Sequence, residues 1–533
     1  TLTMTMNPAL QRHWNEANHH ERAADLPAPR ACYEAMLAIA PKMVGPHLRL
    51  SRLAQIADRY VEARHHALQA GRVCAEAQDA KSVGFVSLRL LAFAEDAEIV
   101  RLIRSMDWSD REVLQQAAVL AQHLWLVGQH ALALEFLTHV GARVKPNALL
   151  CHTRANALRS LGRLDEATEH YEYALRLNPS DAYVHRTLAY HQASRPPGIR
   201  VPRVEAALRQ HADGSPESAQ LRYALFKELD AADQTGPAWA ALEAGAARVR
   251  RTLRHDRDEE ARGFERLLRS NPWDIPPAVA AGSAGPVPIF IVGMPRTGTT
   301  LLDRVLGNHP QVASLGERND FDAATSEVSD HFYKGGLKES QWEKLQGLDP
   351  AKVGARYLER LAPMIAGHGY FIDKNPQNFF NVGLILRALP QARIICVRRD
   401  PMDACFSNLK EPFEGGAYPY SYAFEDLAAH HRGFEALMGH WEASGRGAVR
   451  AMDYEALVQA GDDTLQGVLA FCGLAPAAGM LDITANASPV STASSSQVRS
   501  PIHTGGIGAW KRYAPQLEPL GLMLDAQRAV HGG

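Results

Sequence analysis

The sequence predicts an α + α/β fold: an N-terminal α-helical solenoid followed by an α/β domain with a central parallel sheet. Small and apolar residues recur with a period of 34 positions in the first half, and short Val/Ile-rich runs precede polar turns in the second. These patterns are typical of stacked helical repeats and of strands buried in a parallel sheet. A segment rich in proline, alanine and glycine lies between them. We therefore expect a helical repeat domain over 1–255, a helical connector and linker over 256–285, and an α/β domain over 286–533.

Size, charge and cysteine usage limit the classes of function. The 533 residues suffice for two or three domains, and 57 basic against 59 acidic residues give a formal net charge of -2. This balance favours neither nucleic acid nor a membrane as partner, so any anion site must be local. No apolar run approaches the roughly 20 residues of a membrane helix, and no signal peptide is apparent. The 6 cysteines form no CxxC pair, and the histidines show no ligand spacing, so we expect a cytoplasmic protein with reduced thiols and no metal.

The repeat is clearest between residues 121 and 179. A glycine turn at Gly128 recurs at Gly162, and prolines at Pro146 and Pro179 close the two units. A 34-residue unit of two antiparallel helices resembles the tetratricopeptide repeat. A degenerate unit around 17–42 and a helix pair over 219–251 extend the array, whose concave face either binds a protein partner or only supports the second domain. The aligned positions are Ala121, Leu124, Gly128, Ala133, Leu137 and Val140, then Ala155, Leu158, Gly162, Ala167, Tyr171 and Ala174.

A strand, a glycine loop and a helix open the second half. The apolar run 287–293 ends at Gly293, and helical spacing of leucines begins after Thr299. Backbone N–H groups and the helix dipole then converge on one point, which suits a phosphate. The spacing Gly293-x4-Gly298-Thr299-Thr300 follows the P-loop pattern except that a threonine replaces its lysine. The loop is therefore poorly suited to the β- and γ-phosphates of a nucleoside triphosphate.

The string from Pro295 to Leu301 resembles the 5'-phosphosulfate loop of the PAPS-dependent sulfotransferases, where Lys or Arg precedes Ser/Thr-Gly-Thr-Thr. The resemblance implies that the chain binds PAPS, 3'-phosphoadenosine 5'-phosphosulfate, through this loop. The residues that it implies as ligands are Arg296, Thr297, Gly298, Thr299 and Thr300.

A second strand-to-helix junction carries Arg399 and, eight residues later, Ser407. Their spacing matches the arginine and serine that hold the 3'-phosphate of PAPS in that family. ATP has no 3'-phosphate, so this pair is expected to distinguish PAPS from ordinary nucleotides. A charge-assisted contact of about 1.5 to 3 kcal/mol corresponds to a preference of roughly tenfold to a hundredfold.

Two further residues resemble catalytic positions of the tyrosylprotein sulfotransferases. Gly316-Glu317 matches the start of their Gly-Glu-Glu motif and implies that Glu317 is the general base, although Arg318 replaces the second glutamate. Lys374 follows another buried strand and is implied to stabilise charge on the bridging oxygen, together with Arg296.

The C-terminal stretch resembles the family's nucleotide-side strand and closing segment. Tyr454 corresponds to a tyrosine beside the nucleotide, Ser494 to a residue near the bridging oxygen, and Lys511 to a phosphate contact in the closing segment 505–513. The lysine of the tyrosylprotein enzymes precedes the tryptophan, whereas Lys511 follows Trp510.

Tetratricopeptide units followed by such a domain also resemble a family of bacterial sulfotransferases. The resemblance implies transfer of a sulfuryl group from PAPS to a hydroxyl, leaving PAP and requiring no metal. The acceptor stays open between a protein tyrosine, a carbohydrate, a lipid and a small phenol. The main alternative is a tetratricopeptide interaction scaffold whose nucleotide-binding domain is inactive or sensory. A nucleotide kinase is disfavoured by Thr299.

Overall fold

The computed structural model describes residues 7–22, 27–269, 285–486, 488–490 and 497–531. Helices fill the first half of the chain, and strands alternate with helices in the second. The first sixteen helices are α1 Pro8–Arg22, α2 Pro27–Ile39, α3 Val44–Ile56, α4 Tyr60–Ala77, α5 Val83–Leu91, α6 Asp96–Ser105, α7 Arg111–Gln115, α8 Ala117–Leu126, α9 His130–Gly141, α10 Ala148–Ser160, α11 Leu164–Leu177, α12 Ala182–His191, α13 Val201–Leu208, α14 Pro216–Ala231, α15 Thr235–Thr252 and α16 Arg257–Arg269.

The second half carries five strands within the described residues. They are β1 Val287–Gly293, β2 Val312–Ser314, β3 Tyr370–Asp373, β4 Arg393–Arg398 and β5 Val449–Asp453. Its helices are α17 Thr299–Gly307, α18 Asp320–Ser329, α19 Glu339–Glu343, α20 Pro350–Ile365, α21 Val382–Ala388, α22 Pro401–Leu409, α23 Phe424–Ser444, α24 Tyr454–Gln459, α25 Gly461–Cys472 and α26 Ala514–His531. Short 3₁₀ turns span Pro376–Phe380, Pro419–Tyr422, Gln497–Arg499 and Ala509–Tyr513.

The chain divides into two compact units. The first takes the residues up to Ala157 together with Asp322–Lys334, and the second takes Leu158–Phe321 with the residues from Gly335 onward. The second unit therefore includes α11 to α16 as well as the sheet. The domain boundaries that the sequence predicts at 255 and 285 stay predictions, and most of the linker between them lies outside the described residues. No helix in the described ranges combines the length and apolarity needed to cross a membrane.

The predicted helical repeat is confirmed in its turns and its small-residue contacts. Gly128 and Gly162 have φ of 76° and 80°, a left-handed conformation that glycine adopts without steric cost. Ala133 and Ala167 are fully buried in α9 and α11, because small side chains allow neighbouring helices to approach closely. The helix pair expected over 219–251 is present as α14 and α15.

One expected helix is interrupted. The sequence pattern predicts helix from Arg250 to Arg269, but α15 ends at Thr252 and α16 begins at Arg257. Asp256 is the cause, because its Oδ1 accepts hydrogen bonds from the backbone N–H groups of Asp258 and Glu259, each at 3.0 Å. A short acidic side chain that caps the next helix in this way competes with continuation of the previous one.

The sheet is parallel and has the order β2-β3-β1-β4-β5. β1 pairs with β3 through Phe290 and Asp373, and with β4 through Gly293 and Val397. All seven residues of β1 are buried, because helices cover both faces of a central parallel strand. The predicted strand positions are confirmed, and the sheet core includes Ile289, Ile291, Leu302, Val305, Ile372 and Ile395.

Each described strand is followed by a candidate site residue from the sequence analysis, or by a segment that contains one. The order of strands places Glu317, Lys374, the glycine loop, Arg399 and Tyr454 along the carboxyl edge. Parallel sheets bind ligands at this edge, because every strand delivers a loop there.

Candidate active site

The glycine loop joins β1 to α17 in a tight left-handed turn. Arg296 has φ of 66° and Gly298 has φ of 102°, and the Thr297 hydroxyl donates to the carbonyl of Met294 at 2.8 Å. A left-handed arginine costs of order 1 kcal/mol or more, and such strain concentrates at ligand sites. Thr299 and Thr300 begin α17 directly after Gly298, so their N–H groups form the positive end of this helix.

Tyr454 packs against the loop and explains why residue 298 is glycine. A Cβ placed on Gly298 would lie 2.5 Å from the Tyr454 ring, and one placed on Gly506 would lie 2.7 Å from its hydroxyl oxygen. Both approaches are closer than a carbon atom tolerates. The two glycines therefore form a cradle around Tyr454, which begins α24 at the end of β5.

Arg399 connects the elements that the sequence analysis assigned to the two ends of one ligand. Its Nη1 donates to the carbonyl oxygen of Arg296 at 2.8 Å and to the Ser407 hydroxyl at 3.3 Å. Its Nη2 donates to the carbonyl of Gly506, and its guanidinium lies 4.8 Å from the centroid of the Tyr454 ring. Arg399 thus contacts the glycine loop, Ser407 and the segment after Pro501.

The charge of Arg399 is only partly compensated. Burial lowers the pKa of Arg399, and the nearby cation Arg296 lowers it further. Its Nε atom is buried and lacks a hydrogen-bond partner among the described residues. Arg296 forms a longer ion pair with Glu411, with 3.6 Å between Nε and Oε2. A buried donor without an acceptor is costly, so this site suits an additional anion.

Glu317 and Lys374 form an ion pair beside the loop. The Lys374 backbone N–H donates to the carbonyl of Gly316 at 2.9 Å, and its Nζ donates to Glu317 Oε1 at 2.5 Å. The Lys374 side chain is 1% exposed, whereas that of Glu317 is 48% exposed. The pair therefore joins a buried cation to a carboxylate that solvent can reach.

Two residues beyond the predicted set surround this pair. Burial raises the pKa of Asp303, and the charge of Lys374 opposes that rise. Asp303 accepts a hydrogen bond from the Ser314 hydroxyl at 2.6 Å. Burial also raises the pKa of Tyr418, and the charge of Glu317 raises it further, which places this tyrosine near the carboxylate.

Arg318 pairs with a buried aspartate on the next helix. Its Nη2 lies 2.7 Å from Asp320 Oδ2, and the other oxygen of Asp320 accepts from Arg360 at 3.0 Å. The residue that replaces the second glutamate of the tyrosylprotein motif thus shares one buried carboxylate, that of Asp320, with Arg360.

The closing segment lies over α22. Asp403, which is 1% exposed, accepts from the backbone N–H groups of Gly508 at 2.6 Å and Trp510 at 3.2 Å. Lys511 is exposed, and its side chain folds over Gly508. Ser494 lies outside the described residues.

Sequence motifs missed two residues that hold this arrangement together. Asn408 is fully buried and donates to the carbonyl of Pro295 at 2.8 Å, which ties α22 to the loop. Asp403 was missed because an aspartate in the first turn of a helix is an ordinary cap. Asn408 could not be identified from the sequence, because its role depends on which loop α22 packs against.

The parallel sheet and the glycine turn define an α/β protein whose first strand leads into a glycine loop of the P-loop type. Residues 288–477 match the family model described as Sulfotransferase family, and residues 155–193 match the model described as TPR repeat. The chain therefore carries a sulfotransferase-family domain together with a tetratricopeptide repeat.

Relatives of this chain include named and unnamed proteins. An uncharacterized protein of Aquifex aeolicus (strain VF5) is 28% identical over 375 residues, which are 68% of this chain and 48% of that protein. Protein-tyrosine sulfotransferase 2 of Gallus gallus is 22% identical over 190 residues, which are 35% of this chain and 51% of that protein. The chain thus spans about half the length of the curated relatives it matches. A solved sulfotransferase domain from the curacin biosynthetic pathway is 16% identical, with a TM-score of 0.27, and the match covers 44% of this chain and 98% of that domain.

Proposed function

We propose that this chain is a PAPS-dependent sulfotransferase that acts on a hydroxyl acceptor. The observation that supports this most is the double role of Arg399, whose Nη1 contacts both the carbonyl of Arg296 and the hydroxyl of Ser407. An anion held by the glycine loop and a second anion held by Ser407 would then belong to one molecule. PAPS carries two such groups, and ATP lacks the second.

The residues present fit this donor. The buried Nε of Arg399 has no partner in the described part of the chain, and the absence of a side chain at Gly298 and Gly506 lets Tyr454 pack directly against the loop and the segment after Pro501. Arg296, Thr297, Gly298, Thr299 and Thr300 would hold the 5'-phosphosulfate. Arg399 and Ser407 would hold the 3'-phosphate, and Tyr454 would face the nucleotide. PAPS supplies an activated sulfuryl group whose leaving group is the 5'-phosphate of PAP.

Glu317 would act as general base. Its exposed carboxylate accepts the proton of the acceptor hydroxyl while that oxygen forms a bond to sulfur, a contribution of about 10² to 10⁴-fold. Lys374 and Arg296 stabilise the negative charge that the broken sulfur–oxygen bond leaves on the bridging oxygen. The ion pair between Lys374 and Glu317 positions the two groups side by side. Ser494 and Lys511 stay in the proposal as further contacts of the donor.

We propose an aromatic hydroxyl, such as a protein tyrosine, as the acceptor. A cavity of about 270 Å³ is lined by Phe379, Phe380, Tyr418, Tyr420 and His430, among others. The 3₁₀ turn that carries the two phenylalanines begins at Pro376, two residues after Lys374. Aromatic walls pack well against a phenol ring. The tetratricopeptide array would then bind a protein partner or substrate, and the 6 scattered cysteines, which form no CxxC pair, are compatible with a cytoplasmic location.

Binding of PAP and of adenosine 5'-phosphosulfate to Arg399→Ala tests the donor assignment. We expect the affinity for PAP to fall by roughly tenfold to a hundredfold, and that for adenosine 5'-phosphosulfate to fall less, because only PAP carries the 3'-phosphate. Isothermal titration calorimetry measures both, with Arg432→Ala on the exposed side of α23 as control. Equal losses for the two ligands would refute the 3'-phosphate assignment.

Turnover is tested separately, with radiolabelled PAPS and tyrosine peptides, glycans and small phenols as acceptors. Transfer to a phenol or tyrosine peptide supports the proposal. Tight binding of PAP without transfer to any of these acceptors would instead favour the sensory scaffold.

A further inference from the structure

Two lysines outside the family motifs lie beside the proposed donor site. Lys410 directly follows α22, one helical turn after Ser407, and Lys227 lies on α14 of the helical region. The Nζ of Lys410 is 4.6 Å from the centroid of the Phe406 ring, and the Nζ of Lys227 is 5.3 Å from that of Tyr190. Aromatic faces attract ammonium groups, so these contacts hold both lysines in place.

The two ammonium groups belong to a cluster of four cations. Burial lowers the pKa of Lys410 to about 7, and Lys227, Arg296 and Arg399 lower it further. Burial likewise lowers the pKa of Lys227, which also experiences the charge of Arg296. Among the described residues, neither lysine has a carboxylate oxygen within 4.0 Å of its Nζ. Half-buried charges without counter-ions are unfavourable, so the cluster is prepared for an anion.

Two of the carboxylates around this cluster pair with arginines outside it, whereas Glu411 pairs with Arg296 of the cluster itself. The four basic side chains therefore outnumber the one carboxylate that pairs within the cluster. The pairs are Glu411 with Arg296 at 3.6 Å, Asp230 with Arg512 at 3.4 Å, and Glu228 with Arg200 at 3.3 Å.

Backbone contacts fix this arrangement. The Tyr190 hydroxyl donates to the carbonyl of Lys410 at 2.5 Å, and the Tyr223 hydroxyl donates to the carbonyl of Leu409 at 3.1 Å. Both tyrosines come from the helical region, so α12 and α14 hold the end of the helix that carries Ser407. The lysines therefore occupy defined positions and are not mobile surface charges.

We propose that Lys410 and Lys227 form, with Arg399 and Ser407, a subsite for a phosphate or sulfate oxyanion of the bound donor. This inference rests on the proposed function and adds a residue from the helical region to the donor site. The 3'-phosphate is one source of the oxyanion, because Lys410 extends the helix face of Ser407. The sulfuryl end is the other source, because both lysines also experience the charge of Arg296.

Calorimetry on Lys410→Met and Lys227→Met, with Lys352→Met on exposed α20 as control, tests this subsite. We expect each site variant to bind PAP about tenfold to a hundredfold more weakly if it holds the 3'-phosphate, with little change for AMP. If the subsite holds the sulfuryl end, each variant should bind adenosine 5'-phosphosulfate more weakly relative to AMP. The affinities for PAP and AMP should then change by the same factor. Unchanged binding of PAP and adenosine 5'-phosphosulfate in both variants would overturn the proposal, as would a change confined to the KM for the acceptor.

A second measurement separates this proposal from a structural role and from failure of the proposed function. Removing a charge from a repulsive cluster should raise the melting temperature of the free Lys410→Met protein, yet reduce its stabilisation by inorganic sulfate. Lys410→Arg should restore the sulfate response. A wild type that binds neither PAP nor PAPS would remove the proposed function. A wild type that binds them while its sulfate response is unchanged in Lys410→Met would remove only the subsite.

Discussion

At the scale of single residues, the contrast between Lys374 and Glu317 is informative. A buried lysine and a half-exposed carboxylate share one short contact, so the cation is fixed while the carboxylate can turn toward a ligand. An ion pair whose carboxylate is exposed to solvent contributes only about 0 to 1 kcal/mol to the free energy of folding. A purely structural role would therefore favour a buried carboxylate. This asymmetry favours a functional carboxylate.

Replacing Glu317 by Gln should abolish proton removal while leaving the donor site intact. We expect PAP affinity within about twofold of wild type and turnover reduced by about 10² to 10⁴-fold. Single-turnover transfer from radiolabelled PAPS and calorimetry with PAP measure the two effects. Glu343→Gln, on the exposed face of α19, is the matched control, and wild-type turnover in Glu317→Gln would exclude this residue as the base.

By resemblance, the sequence indicated that Arg399 and Ser407 face one phosphate, and their side chains are in direct contact. It also placed Glu317 and Lys374 after two strands, which are neighbours in the sheet. It could not predict Lys410 and Lys227, since their meeting depends on how α14 packs against α22. Local spacing determines contacts within one strand–turn–helix segment, whereas contacts across 183 positions of the chain depend on tertiary packing.

At the scale of elements, the closing segment depends on α22. Asp403 accepts from two backbone N–H groups of that segment, and Arg399 donates to the carbonyl of Gly506. These bonds hold the segment next to Arg399 and the start of α22. The strand positions were predictable from apolar runs, but this attachment was not, because no residue pattern links position 403 to position 508.

Replacing Asp403 by Asn should loosen the closing segment without displacing α22. The amide keeps one acceptor oxygen but presents N–H to the second donor, so one charged hydrogen bond is lost, worth about 1.5 to 3 kcal/mol. We expect faster hydrogen exchange at Gly508 and Trp510, and PAP affinity lowered by about tenfold or more. Asp462→Asn on exposed α25 should change neither, and protected amides in Asp403→Asn would show that other contacts hold the segment.

At the scale of the whole molecule, the helical region packs against the helix that carries Ser407. Its repeat pattern was predictable because each unit repeats the same glycine and small residues. The contacts of Tyr190 and Tyr223 with the backbone after Ser407 were not, because only tertiary structure decides which neighbour a buried hydroxyl meets. The second compact unit begins within the repeats, at Leu158. It therefore contains helices of the repeat region in addition to the family domain.

Buried histidines make the stability of this helical region dependent on pH. Burial lowers the pKa of five histidines, His47, His66, His123, His130 and His191, to about 4. The histidine pKa is about 6.5 in the unfolded chain and about 4 in the folded one. At any pH between these two values, the unfolded chain binds more protons than the folded chain. Stability is therefore complete above about pH 6.5 and is lost as the pH falls toward 4.

His123 provides a test of this linkage, because it is 4% exposed and its Nδ1 lies 2.8 Å from the Ser87 hydroxyl. From pH 7 to pH 5 it should contribute about 2 kcal/mol of lost unfolding free energy. Urea unfolding followed by circular dichroism at both pH values should show a smaller loss in His123→Gln than in wild type, even if the variant is less stable at pH 7. His368→Gln, in the turn after α20, should keep the wild-type loss. An equal loss in all three proteins would mean that His123 accepts its proton in the folded state, and that its burial between α8 and the neighbouring helix does not oppose the charge.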